Sequence, residues 1–130
     1  MFFYTISLLQ AALFLARKYG VDGTDIFMFR KYGVDGTDIT WAVVGSASHL
    51  PCNITPPHIE DSVYLVLWYK DDNPQPVYSY DARGSTSKHW SENHQFGSRA
   101  IFRTNITPAQ LVLTSVLKSD SGVYKCRVDF

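Results

Sequence analysis

Two side chains in this sequence could form a covalent cross-link: Cys52 and Cys126, 74 positions apart. No C-x-x-C pair and no third or fourth ligand stands near either, which argues against zinc. The pair reads as one structural disulfide, with two free buried thiols as the alternative. Closing a loop of that length stabilises by about 4 kcal/mol in the chain-entropy account, and the bond needs an oxidising compartment. The other chemistry-bearing residues do not converge. His49, His58, His89 and His94 are never at metal-ligand spacing. His89 and His94, with Glu92 between them, come nearest, and on a strand those two rings would face opposite sides. Asp22 and Asp25 recur as Asp35 and Asp38, but the spacing is wrong for a calcium loop and no glutamate closes it. Gly-x-Ser-x-Gly, a phosphate loop and a Cys/His nucleophile pair are all missing from the sequence. The expectation is no enzyme, no cofactor, no metal and no small-molecule substrate.

A disulfide across such a span must be held by elements that meet in space, and the pattern around it is one of short strands. Residues 39–44 read as a first strand, broken at Gly45. Residues 48–52 alternate and place Leu50 and Cys52 on one face. Pro51 has no amide hydrogen, so its nitrogen must face away from a ladder bond or lie at a strand end. Residues 63–70 are β-branched, aromatic and continuous, the strongest strand signal in the chain. Residues 71–76 form a hairpin loop and 77–80 the return strand, while 81–97 read as a polar edge excursion. Residues 98–103, 110–114 and 123–130 complete the set. Short strands with turn signals between them predict an all-β sandwich.

The chain has 130 residues, one domain's worth, and 45% of them are apolar. Formal charge is zero, so nucleic acid and anionic lipid have no electrostatic reason to bind. Residues 1–16 include an apolar run of signal h-region length; a positive n-region is missing, and Phe14 stands where a small residue is wanted. The expectation is a signal peptide. Arg17 to Ile26 recurs unchanged at Arg30 to Ile39. Two copies do not make a solenoid, and residues 17–37 read as a loosely ordered, Gly-rich duplicated segment.

Trp68 follows the first cysteine, and Trp68-Tyr69-Lys70, Arg99, Leu111-x-Leu113 and Asp120-x-Gly122-x-Tyr124-x-Cys126 stand at matching spacings. Over residues 38–130 the chain resembles a variable-type immunoglobulin domain, an antiparallel sandwich. That resemblance implies a Cys52–Cys126 bond with Trp68 packed on it, a Tyr124 hydroxyl tied back to the backbone, and an Arg99–Asp120 salt bridge closing the bottom. Leu50-Pro-Cys-Asn-Ile-Thr-Pro-Pro57, Asp61-Ser-Val-Tyr-Leu-Val-Leu-Trp-Tyr-Lys70, Tyr78-Ser-Tyr-Asp-Ala-Arg-Gly84, His89-Trp90, Phe96-Gly-Ser-Arg99 and Cys126-Arg-Val-Asp-Phe130 are similar to the first domain of the insect Sidestep proteins. That resemblance implies a cell-surface adhesion and axon-guidance receptor whose partner is a Beaten path-like member of the immunoglobulin superfamily. It also implies an extracellular, membrane-anchored setting reached through the secretory pathway. The match stops at Phe130, before the final strand of such domains, so a truncated sandwich with an unpaired edge is expected. A soluble secreted immune or ligand-binding protein is the alternative.

Recognition residues follow from alternation. If Trp68 points inward, Tyr64 and Val66 share its side, and Leu65, Leu67 and Tyr69 face out. On the last strand Lys125, Arg127 and Asp129 face out. Tyr78 and Tyr80 are expected to extend this partner-binding face unless a bulge shifts their register. A one-residue slip or cover by loops is the competing reading. Asn53-Ile-Thr55 and Asn105-Ile-Thr107 are glycosylation sequons.

Overall fold

A computed structural model describes residues 2–8, 26–33 and 36–130. Ten strands follow in chain order: β1 (Phe2–Leu8), β2 (Ile26–Gly33), β3 (Gly36–Val43), β4 (Ser48–Cys52), β5 (Leu65–Lys70), β6 (Tyr78–Asp81), β7 (Lys88–Ser91), β8 (Ala100–Arg103), β9 (Ala109–Leu113) and β10 (Tyr124–Asp129). Among the described residues they make two sheets, β3-β2-β1-β10-β5-β6-β7 and β4-β9-β8. Every pairing is antiparallel.

The strands with two different faces are those whose sequence alternates. On β5, Val66 and Trp68 are fully buried while Leu65, Leu67 and Tyr69 are half-buried; on β10, Tyr124, Cys126 and Val128 are buried and the residues between them are not. The register sets Trp68 beside Cys126 and Val66 beside Val128, so the inward residues of the two strands form one layer. From the opposite sheet come Leu50, Cys52, Phe102, Leu111 and Leu113. Each large apolar side chain buried here contributes about 1.5–3 kcal/mol. Trp68 meets Phe102 edge to face, centroids 6.2 Å apart, across the two sheets. The Cys52–Cys126 bond joins β4 to β10 through this layer, with Cα atoms 6.3 Å apart. Pro51 fits because β4 is an edge strand of its sheet, where an absent amide hydrogen costs no ladder bond.

Three expectations need correction. Tyr78 and Tyr80 do not face outward: β6 pairs Tyr78 with Trp68 and Tyr80 with Val66, which turns both phenols into the core. Tyr64 does not share the inward side; it precedes β5 and is 50% exposed. With residues 2–8 in place, the edge of β10 is not open. β1 lies along it, with Phe2 opposite Val128 and Ile6 opposite Tyr124, in the position a final strand would take. Within the duplicated region, β2 and β3 pair as a hairpin, with Ile39 opposite Arg30. The first strand expected at 39–44 is the later part of β3. The first repeat copy lies almost entirely outside the described residues.

Candidate recognition face

A clasp at one end of the sandwich fixes the geometry of everything above it. The Arg99 guanidinium donates to both Asp120 oxygens, at 2.6 and 2.8 Å, and to the carbonyls of Ser115 and Gln95. Asp120 is 3% exposed and takes a further bond from the Leu117 amide at 2.7 Å, so its buried carboxylate is well provided with donors. The Tyr124 hydroxyl donates to the Asp120 carbonyl. Burial, with Asp120 and Asp71 adding to it, pushes that phenol well above its ordinary pKa. The signature residues Cys52, Trp68, Asp120, Tyr124 and Cys126 are buried, and the part-exposed Arg99 closes the same framework at its end.

The outward side of the same strands is arranged in rows by register. Arg127 stands opposite Leu67, Leu67 opposite Ser79, and Ser79 opposite Trp90. A second row runs Asp129, Leu65, Asp81 and Lys88. A third sets Lys125 beside Tyr69. Leu65, Leu67, Tyr69, Lys125 and Arg127 are thus brought together on one face, while Tyr78 and Tyr80 are excluded from it. Trp90, 49% exposed, is a member that the sequence reading missed. It lies on a four-residue edge strand in a polar stretch, and only its pairing with β6 gives it a side.

Local charge on this face is largely paired. Arg127 reaches Asp129 at 3.2 Å, and Arg83 grips Asp81 with bonds of 2.9 and 2.7 Å. The Arg83 hydrogen bonds bring the Asp81 carboxyl down to about 2. The Arg83 guanidinium also lies 5.5 Å from the centre of the Tyr64 ring.

Past the end of β5 the face dips into a recess of about 300 Å³ lined by Tyr69, Asp71, Asp72, Asn73, Lys125 and Arg127. Asp71 shapes its floor. It sits at φ +52°, a left-handed conformation that short polar side chains tolerate. Its amide donates to the Val123 carbonyl and its Oδ1 accepts from the Val123 amide, at 2.5 and 2.7 Å. Gly122 makes this approach possible, because a Cβ there would come within 2.9 Å of both Asp71 Oδ1 and Lys70 Cε.

Asn53 and Asn105 are both exposed. His89 Nδ1 lies 2.7 Å from the Tyr78 hydroxyl, which also accepts from the Phe102 amide, so this ring is held in a sheet-to-sheet contact. Burial raises the Tyr78 pKa, partly offset by that amide. Among the described residues no group of three or more His, Cys, Asp and Glu side chains is placed to hold a metal, and no helix is long and apolar enough to cross a membrane. Asp22, Asp25 and Asp35 lie outside the described residues.

The family model described as "Immunoglobulin V-set domain" matches residues 36–130. No curated protein and no solved structure matches the chain.

Proposed function

The chain belongs to the immunoglobulin V-set family, and from that premise we propose that it is the extracellular recognition module of a Sidestep-like adhesion and axon-guidance receptor. Its partner is another immunoglobulin-superfamily protein of the Beaten path kind, bound through the outer face of β10, β5, β6 and β7. The observation that carries this reading is the row Arg127–Leu67–Ser79–Trp90. An aliphatic and aromatic centre with an arginine, bordered by paired charges, has the composition of an interface core and rim. The disulfide favours an oxidising, extracytoplasmic setting.

Residues 1–16 are taken as the leader in this reading. Its removal would carry β1 away from β10, so N-terminal sequencing of secreted protein should start past Ala16. A start at Met1 contradicts the leader.

The test of the face is surface plasmon resonance against Beaten path family ectodomains. Leu67→Asp with Arg127→Glu should abolish measurable binding, and Trp90→Ala should weaken it by about 30-fold, the loss of a hot-spot residue worth about 2 kcal/mol. Unchanged affinity in both variants overturns the assignment.

A further inference from the structure

The two sequons are the same tetrapeptide, Asn53-Ile-Thr-Pro56 and Asn105-Ile-Thr-Pro108. In the sequence they are 52 residues apart, but the small sheet sets them side by side. Asn53 follows Cys52, the last residue of β4, which pairs with Ala109, the first of β9. Asn105 lies in the connection from β8 to β9 that ends at Ala109. Both asparagines therefore stand at one end of the β4-β9-β8 sheet, and both are exposed. Asn53 Oδ1 accepts from the Thr55 amide at 2.9 Å, which occupies the oxygen and leaves Nδ2 without a partner among the described residues.

The other side of the molecule is arranged differently. The row through Trp90, Leu67 and Arg127 belongs to the opposite sheet. The recess at Tyr69 and Asp71 lies past the finishing end of β5, while the chain leaving Asn53 arrives at the starting end of that strand. An oligosaccharide on either asparagine is thus rooted on the small sheet, at the end of the sandwich opposite the recess.

From this placement we infer that Asn53 and Asn105 form a paired N-glycan site that covers one end of the small sheet and confines partner approach to the large one. In each transfer, asparagine Nδ2 bonds to the anomeric carbon of a lipid-diphosphate-linked oligosaccharide. The bond from that carbon to the diphosphate oxygen breaks, the lipid diphosphate leaves with its electron pair, and the amide gives up one proton to a base. The cover also falls over Ile106, an apolar side chain left exposed in the β8–β9 turn. The directional part of this inference rests on the recognition face proposed above; occupancy of the two sites does not.

The full chain secreted from insect cells, weighed intact before and after endoglycosidase, should carry two glycans. Asn53→Gln and Asn105→Gln should each remove one, and Thr55→Ala and Thr107→Ala should do the same without touching either asparagine. A chain bare at either site overturns the pair. For direction, Asp81→Asn with Arg83→Thr places a third sequon on the outer face. Carrying its glycan, that variant should lose binding to an immunoglobulin-superfamily partner at least 30-fold, whereas stripping the natural glycans should change affinity by less than about twofold. A threefold-glycosylated variant that still binds overturns the recognition face while the paired site stands. Natural glycans whose removal strengthens binding tenfold overturn the direction assigned to them.

Discussion

The Arg99–Asp120 clasp should show strong and unequal coupling. Arg99→Met keeps most of the buried aliphatic stem but removes both donors to Asp120. The carboxylate is then 3% exposed with only the Leu117 amide bonded to its side chain. Removing one member of a buried pair costs about 3–5 kcal/mol, and this burial puts Arg99→Met at the upper end. Asp120→Ala leaves the opposite orphan. Arg99 retains the Ser115 and Gln95 carbonyls and is 21% exposed, so water screens part of its charge. That variant belongs at the lower end, including the Leu117 amide it strands. The double variant leaves no unpaired charge, so its cost should fall short of the sum by about 1–3 kcal/mol. Urea unfolding followed through tryptophan fluorescence measures the cycle, and heat melting reads it again at roughly 4–8 °C per kcal/mol. Costs that add within about 0.5 kcal/mol, or an Arg99→Met cost below about 1 kcal/mol, would refute the reasoning.

Other outcomes follow from single contacts. The Asp81 carboxyl should titrate by NMR with a midpoint of about 2, and Arg83→Gln should return it toward 3.8; a midpoint near 4 in the parent protein means that the Arg83 grip is absent in solution. Since the folded value is the lower one, the pair's contribution is present above pH 3.8 and is lost as pH falls through 2, a small effect for so exposed a site. Gly122→Ala should destabilise by about 1–3 kcal/mol and speed proteolysis in the 71–73 loop, because the new methyl displaces Asp71 from the Val123 amide; an unchanged melt refutes the close approach. Cys52→Ala with Cys126→Ala should cost about 4 kcal/mol on thermal or urea unfolding, and a loss below about 1 kcal/mol would show that the bridge does not constrain the unfolded chain.

What could be read from the sequence depended on whether each strand had two distinguishable faces. β5 and β10 alternate strictly around Trp68 and Cys126, so their inward and outward sides followed at once. β6 was different. Tyr-Ser-Tyr-Asp alternates too, but the loop 71–77 with its two prolines permits either register, and one residue of slip exchanges the faces. The pairing of Tyr78 with Trp68 decides it, and that contact is tertiary. β7 has no pattern of its own: Lys88, His89 and Trp90 are all exposed, and the strand exists by pairing with β6. β1 was hidden for another reason. An apolar run that suits a signal h-region has the same composition as an apolar β-strand, and periodicity alone does not separate them.

The division between faces has a functional consequence. Inward residues of β5 and β10 belong to a framework closed by the Cys52–Cys126 disulfide, the buried Trp68 indole and the Arg99–Asp120 clasp, so a change there is felt through the whole sandwich. Outward residues of the same strands lie on the other face of the sheet. Leu67, Tyr69, Lys125, Arg127 and Trp90 can therefore differ between related domains at small cost in stability. A rigid inner layer holds these side chains at fixed spacing, which limits the entropy lost when a partner docks. On the proposed recognition face, discrimination between similar partners would then rest on a few side chains in these rows. The proposed glycans at Asn53 and Asn105 would act on the same problem from the other side, by removing the small-sheet end from the surface open to competing contacts.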